Sequence, residues 1–456
     1  MEPETKIQSP NLNPDQNAVQ EALEMPYSDD AVNLSRDEIS RTQTIRLRET
    51  LERARRAPAY ADRVSGVTPE DIQSPADVRK LPLTSKAQLR EGMPWGFLTV
   101  PRSEVVRMHY SSGTTGLATA VYHTRNDLHM WAECVARGML AAGVTEDDVF
   151  QNMMGYGLFT GGLGFHYAAE LVGCMTIPSS SGNTERQIHL MQNFGSSVLH
   201  IIPSYALRVL HVCDEAGIDA RTDFNVRAIF VGGEPHSEQL RRRIEEGFGA
   251  KVSNCYGLSE MAGPGVAMEC SEQNGLHVCE DHYLLEVLDP QSMEPVEPGE
   301  LGEVVLTTLR REAMPLIRYR TRDIARVLPG DCPCGSAHVR LSRMEGRTDD
   351  MLVVRGVNVY PMQIERALLD VDEVGRNYAI TLDRPEDLDR MSVAVELTQE
   401  AFTDEMRELT ELQRRIERRL QTELDISVRV ELHEPGGLPV SEGKAVRVID
   451  NRDQEK

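Results

Sequence analysis

Ser111-Ser112-Gly113-Thr114-Thr115-Gly116 is the stretch whose residue types bear most directly on chemistry. It follows the apolar-alternating, strand-like segment from Val105 to Tyr110. Glycines let a backbone approach a ligand closely, and hydroxyls with exposed N–H groups offer a polyanion a dense set of donors. The loop therefore reads as a cradle for phosphate, although Ser/Thr/Gly runs also make ordinary turns. It is not the GxxxxGK[ST] loop, because no Lys stands at the required place. A second candidate group is thiolate and imidazole. Cys332-Pro333-Cys334-Gly335 places two thiols on a tight turn, and with Cys270 and His277 it makes a Cys₃His set suited to a closed, structural zinc site. Cys279 and His282 are spare candidates, and reduced loop cysteines are the plain alternative.

The elements that position these groups follow from periodicity. Arg36-Asp37-Glu38, after Ser35, opens a helix carrying Ile39, Leu47 and Leu51. Strand-like runs at 149–152, 197–202 and 226–231 each end in Gly, Pro or Ser before a helical pattern. This is the rhythm of βα units on a largely parallel sheet, whose strand ends are where ligands bind. Gly232-Gly233-Glu234-Pro235 lies at such an end. The character changes at Gly346-Arg347-Thr348-Asp349-Asp350. Beyond it come a short strand, a turn at 356–358, helices near 361–370 and 402–423, and strands near 377–382, 391–397 and 426–433. The expected organisation is a flexible leader over 1–35, a large α/β domain over 36–346 and a small α+β domain over 347–456.

Composition narrows the partners. The 456 residues carry 49 Lys plus Arg against 72 Asp plus Glu, a formal net charge of −23. Such a chain repels nucleic-acid phosphates and anionic membranes, so any anionic ligand must be held by local groups. Eight cysteines without a disulfide-like framework read as a reduced, cytoplasmic setting. No leader of the secretory kind and no apolar run of about 20 residues is present in the sequence, so no membrane is expected.

Six patterns stand in order: YSSGTTG at 110–116, GGEP at 232–235, YGLSE at 256–260, RYRTRD at 318–323, GRTDD at 346–350 and GGLPVSEGKAVRV at 436–448. Together, over nearly the whole chain, they resemble the adenylate-forming ligases: acyl-CoA synthetases, luciferases and peptide-synthetase adenylation domains. Longer stretches at 155–170, 181–191, 203–209, 315–330 and 346–361 resemble the phenylacetate–CoA ligase branch. The resemblance implies a two-step reaction. A carboxylate attacks the α-phosphate of ATP, releasing pyrophosphate, and the thiol of coenzyme A then takes the acyl group and expels AMP.

The resemblance also implies roles, residue by residue. Ser111, Ser112, Gly113, Thr114, Thr115 and Gly116 grip the β- and γ-phosphates, and Ser259 donates to the α-phosphate. Glu260 is the Mg²⁺ ligand. Tyr256 and Gly257 offer a flat face for adenine, with Gly233 and Glu234 opposite. Asp323 accepts from the ribose hydroxyls and Arg347 assists. Lys444 supplies the mobile ammonium for the first step, where charge gathers on phosphoryl oxygen. Tyr156, Phe159 and Gly161 flank a flat slot for an aryl acid. Asp349 is the hinge about which the small domain swings between half-reactions. A homodimer is also implied.

One departure stands out. Relatives commonly continue the loop with Lys-Pro, whereas here Leu117-Ala118 follow Gly116. A cation is thereby missing from the pyrophosphate end, and weaker ATP binding is expected. Two other readings stay open: an adenylyltransferase acting on a deazaflavin coenzyme, and a non-catalytic nucleotide- or acyl-CoA-binding relative.

Overall fold

The computed structural model describes residues 34–111, 119–158, 160–234, 236–355, 357–385, 389–403, 405–438 and 447–452. Helix α1 (Arg36–Ala54) begins where Ser35 accepts from the Glu38 N–H while Glu38 reaches back to the Ser35 N–H. That reciprocal cap satisfies donors a helix start leaves orphaned. Ser35 thus belongs to the helix cap rather than to the leader, and the expectation for 1–33 lies outside the described residues. Ile39, Leu47 and Leu51 face inward and are fully buried. Helix α2 (Lys86–Glu91) is capped in the same way by Ser85 and Gln88. The hairpin of β1 (Arg107–Ser111) and β2 (Thr119–His123) pairs Ser111 with Thr119. The cradle residues 112–116, with Leu117 and Ala118, lie between these two and outside the described residues.

After helix α3 (Arg125–Ala141), the expected βα rhythm appears: β3 (Val149–Asn152), α4 (Gly161–Val172), β4 (Met175–Ile177), α5 (Thr184–Phe194), β5 (Val198–Ile201), α6 (Pro203–Glu215), β6 (Ala228–Val231), α7 (Glu238–Phe248) and β7 (Lys251–Leu258). These strands lie parallel in the order β4-β3-β5-β6-β7. β5 and β6 are buried along their whole length. That is why they read as unbroken apolar runs rather than alternating ones.

From β7 the sheet turns antiparallel, through β8 (Gly263–Glu269) and β9 (Leu276–Val278). Next in the chain come β10 (Tyr283–Leu288), β11 (Gly302–Thr308), β12 (Tyr319–Ala325), β13 (Val327–Leu328), β14 (Arg340–Leu341) and β15 (Gly346–Arg347). β13 and β14 extend the large sheet beyond β9, while β10-β11-β12-β15 form a second, four-stranded sheet.

The remaining elements are the hairpin β16 (Leu352–Val354) and β17 (Val357–Val359), α8 (Pro361–Leu369), β18 (Val374–Asp383), β19 (Arg390–Leu397), α9 (Met406–Leu424), β20 (Arg429–His433) and β21 (Val448–Asp450). Their apolar side chains form a core of their own, including Ile364, Ile380, Val393 and Ile416. Helix α9 buries Leu412, Ile416 and Leu420 on one face, the four-residue spacing of an amphipathic helix.

Candidate active site

The candidate residues converge where β3, β6 and β7 end, beside the β12–β15 pair. Tyr256 on β7 donates its hydroxyl to Asp323 Oδ2 at 2.7 Å. Arg347 donates to Asp323 Oδ1, also at 2.7 Å, because β12 and β15 place the two residues directly opposite. Burial raises the Asp323 pKa, with Arg347 and Tyr256 pulling the other way. Each Asp323 oxygen keeps capacity for a further donor, as two ribose hydroxyls require. Arg347 also holds Asp349 in a two-pronged ion pair, at 2.9 and 3.0 Å. The expected ribose group and the expected hinge residue therefore share one guanidinium.

Gly257 on β7 lies tight against β8. A Cβ there would meet the Gly263 carbonyl oxygen at 1.9 Å, so only glycine allows the turn that delivers Ser259 and Glu260. Ser259 Oγ lies 3.3 Å from Thr160 Oγ1. Arg311, wholly buried, donates to the carbonyls of Glu260 and Tyr122 at 2.6 and 2.8 Å, tying this turn to β2. The Ser111 and Thr119 hydroxyls are buried without a hydrogen-bond partner among the described residues.

Glu260 is buried, and its Oε1 lies 3.2 Å from Lys86 Nζ without an aligned hydrogen bond. A carboxylate oxygen so placed suits a hard divalent cation, which takes few protein ligands and otherwise phosphate and water. Lys86 was not foreseen. It opens a short helix far from every motif, and its only sequence signal is the Ser-Lys start of that helix. Tyr319, also buried, feels both Glu260 and Asp323, and its pKa rises through burial and these neighbouring charges.

Other candidates fall less centrally. Gly233 takes a positive φ of 84°, and Glu234 accepts from the Ser204 N–H at 2.7 Å, capping α6. Its carboxylate is thus engaged at a helix start rather than turned free toward a ligand. Tyr156 Oη accepts from Asn152 Nδ2 at 2.9 Å and sits 3.2 Å from His166 Nδ1, with burial pushing its pKa up to about 12. Gly161 is buried at the first turn of α4. Phe159 and Lys444 lie outside the described residues.

The ligand atoms of Cys270, His277, Cys332 and Cys334 all lie within 4.8 Å of one another. Cys270 Sγ and Cys332 Sγ are 3.8 Å apart, and Cys334 Sγ is 3.4 Å from His277 Nε2. For Zn–S bonds near 2.3 Å, a tetrahedron has S···S edges of about 3.8 Å, so the spacing fits. Burial pushes Cys270 up to about 12 and, with Arg340, holds His277 down to about 4. The imidazole is therefore neutral, as ligation requires. The spare candidates go elsewhere: Cys279 sits against Cys134, and His282 beside Asp281. All eight cysteines are free.

These strand ends, with buried Glu260, the Tyr256–Asp323–Arg347 cluster and the β1–β2 hairpin, belong to a fold of nucleotide-dependent, acid-activating enzymes. The AMP-binding enzyme family model matches residues 42–309, and the AMP-binding enzyme C-terminal domain model matches 356–452. The chain is 41% identical over 445 residues to a phenylacetate–coenzyme A ligase of Thermus thermophilus, covering 94% of this chain and all of the relative. It is 41% identical over 421 residues to the Escherichia coli phenylacetate–coenzyme A ligase, covering 91% and 95%. The chain belongs to the phenylacetate–CoA ligase family of adenylate-forming enzymes. Among solved structures, 2-hydroxyisobutyryl-CoA ligase in its postadenylation state with 2-HIB-AMP superposes with a TM-score of 0.87 at 28% identity, covering 93% and 92% of the two chains. The same ligase with CoA in its thioesterification state gives 0.68 at 29% identity over equal coverage. No helix among the described residues is long and apolar enough to cross a membrane.

Proposed function

We propose that this protein activates an arylacetic acid, phenylacetate foremost, with ATP and transfers the acyl group to coenzyme A, releasing pyrophosphate and AMP. End-to-end similarity to phenylacetate–CoA ligases carries this reading. The Tyr256–Asp323–Arg347 cluster, whose buried carboxylate keeps capacity for further donors, supports it independently.

Both half-reactions build charge on oxygen, so the residues act by holding the reactants and by electrostatics. Asp323 accepts from the ribose, and Tyr256 fixes the carboxylate's orientation. Ser111, Thr119 and Ser259 supply hydroxyls on the phosphate side. Glu260 would hold Mg²⁺, which neutralises triphosphate charge when bound. Lys86, 3.2 Å from Glu260, would supply beside that carboxylate the positive charge that Leu117 cannot. Lys444 serves the developing charge on the α-phosphoryl group. Tyr156 and Gly161 border the acid. Cys270, His277, Cys332 and Cys334 would hold a structural Zn²⁺ that ties the loop between β13 and β14 to β9 and the end of β8.

The decisive experiment incubates the protein with ATP, a panel of aryl acids and CoA, and follows pyrophosphate, AMP and thioester. Pyrophosphate release that depends on an aryl acid, with AMP release that requires CoA, is expected. The reading is falsified if pyrophosphate release responds to no aryl acid. AMP retained on a deazaflavin, or binding without turnover, would instead select one of the two rival readings. A homodimer and a reducing, cytoplasmic setting complete the proposal. The eight free thiols support the latter, and sedimentation equilibrium tests the former.

A further inference from the structure

Glu365, on α8, is a buried carboxylate that no step above uses. From its own core it receives the Tyr378 hydroxyl on Oε2 at 2.9 Å and the Arg447 guanidinium at 3.2 Å. Its other oxygen, Oε1, accepts the Ser237 N–H at 3.3 Å. Ser237 is the N-cap of α7, on the large sheet's side of the molecule. One buried acid thus joins the two cores.

Three neighbours reinforce the junction. Leu369 packs into the cluster that holds Leu240 and Ile244. Gln239 Nε2 donates to Asp370 Oδ1 at 2.9 Å. Arg447 lies over the Tyr378 ring, 4.2 Å from its centroid, and interacts electrostatically with Glu234 across the junction. Arg447 also follows Lys444 by three positions in the chain.

The superposition says which arrangement this junction belongs to. The chain matches the postadenylation state of 2-hydroxyisobutyryl-CoA ligase far better than the thioesterification state of that same protein, at nearly equal identity and coverage. We propose that Glu365, with Arg447 and the Ser237 N–H, is a latch that holds the C-terminal part in the adenylating arrangement, making Glu365 and Arg447 positioning residues for the first half-reaction alone. The proposal rests on the two-step reading above.

A latch made in one arrangement and broken in the other acts only through their relative populations. Removing it lowers the rate of the step that needs the latched state and spares the step that needs the other. A merely structural role would depress both together. The test separates the half-reactions in the full-length protein: phenylacetate-dependent ATP–pyrophosphate exchange for the first, and single-turnover thioester formation from supplied phenylacetyl-adenylate and CoA for the second. Glu365→Ala is expected to lower exchange about tenfold or more, the scale of a charged hydrogen bond, while leaving thioester formation within about twofold. Glu365→Gln, which keeps an acceptor for Ser237 and the side-chain shape, is expected to recover part of the exchange rate.

Should Glu365→Ala fold poorly, Gln239→Ala at the more exposed edge of the same junction carries the test, with the same split at smaller amplitude. Equal losses in both half-reactions, or no loss in either, overturn the latch. If the wild-type protein shows no acid-dependent exchange, the functional reading has failed instead, so the two failures are distinguishable.

Discussion

Replacing Lys86 by Met removes the ammonium 3.2 Å from Glu260 and little else, since the two side chains have similar reach. With an effective dielectric constant near 20, the raw attraction across that gap is about 5 kcal/mol. Desolvation of the pair, and screening of a lysine that is one-third exposed, bring its net worth to about 1–2 kcal/mol. The larger effect is expected with nucleotide bound, where Lys86 would face triphosphate oxygens. Losing one charge-assisted hydrogen bond there costs about 1.5–3 kcal/mol, or about 10- to 150-fold in kcat/KM for ATP. Acid-dependent ATP–pyrophosphate exchange at varied MgATP measures it, with KM for the acid as the internal control. Lys86→Arg is expected to recover only part of the activity, because a planar fork replaces a compact point charge. Leu117→Lys in the Lys86→Met background is expected to restore ATP affinity by returning a cation to the loop. Wild-type kcat/KM for ATP in Lys86→Met would refute the reasoning outright.

Further outcomes follow from the same geometry. Tyr256→Phe leaves Asp323 short of one donor and is expected to raise KM for ATP about tenfold, with the acid KM unchanged in the same assay. Asp349→Pro, at the expected hinge, should spare pyrophosphate exchange but block thioester formation, and rapid-quench analysis of both half-reactions will show whether the losses differ. Purified protein is expected to hold one zinc per chain by elemental analysis, and Cys332→Ser with Cys334→Ser to lose it and melt at lower temperature. Burial works against Glu238 ionising, yet Arg241, Arg343 and Arg242 together hold it down to about 2. Those pairs stabilise the fold fully above the ordinary glutamate range and are lost as pH falls through about 2. Glu238→Gln should therefore cost about 1 kcal/mol at neutral pH, after discounting for solvent screening, and progressively less in acid denaturation below about pH 4.

Much of this molecule was legible where the chain speaks locally. The helix opening at Arg36, the buried strands at 149–152, 198–201 and 228–231, and the helices of the C-terminal part all follow from spacing within a short window, whereas Ser35, placed with the leader, proves to be that first helix's cap. The convergence of Cys270, His277, Cys332 and Cys334 was legible too, because few uses bring those side chains to one turn. The antiparallel extension beyond β7 and the second sheet of β10, β11, β12 and β15 were not, since pairing between distant strands leaves no local trace. The Tyr256–Asp323 bond depends on how two separate sheets meet. Lys86 reaches Glu260 through tertiary packing alone, and Glu234 looked like a ligand-facing acid until its helix-capping contact was visible.

Arg347 divides one guanidinium among three carboxylates: Asp323 on β12, Asp349 at the position expected of a hinge, and Asp350 at 3.6 Å. If the proposed roles of Asp323 and Asp349 hold, a ligand on Asp323 would change how firmly that cation is shared, and by thermodynamic reciprocity the hinge's posture would alter nucleotide affinity to the same degree. Departure of the spent nucleotide and rotation of the C-terminal part would then be two readouts of a single tug-of-war.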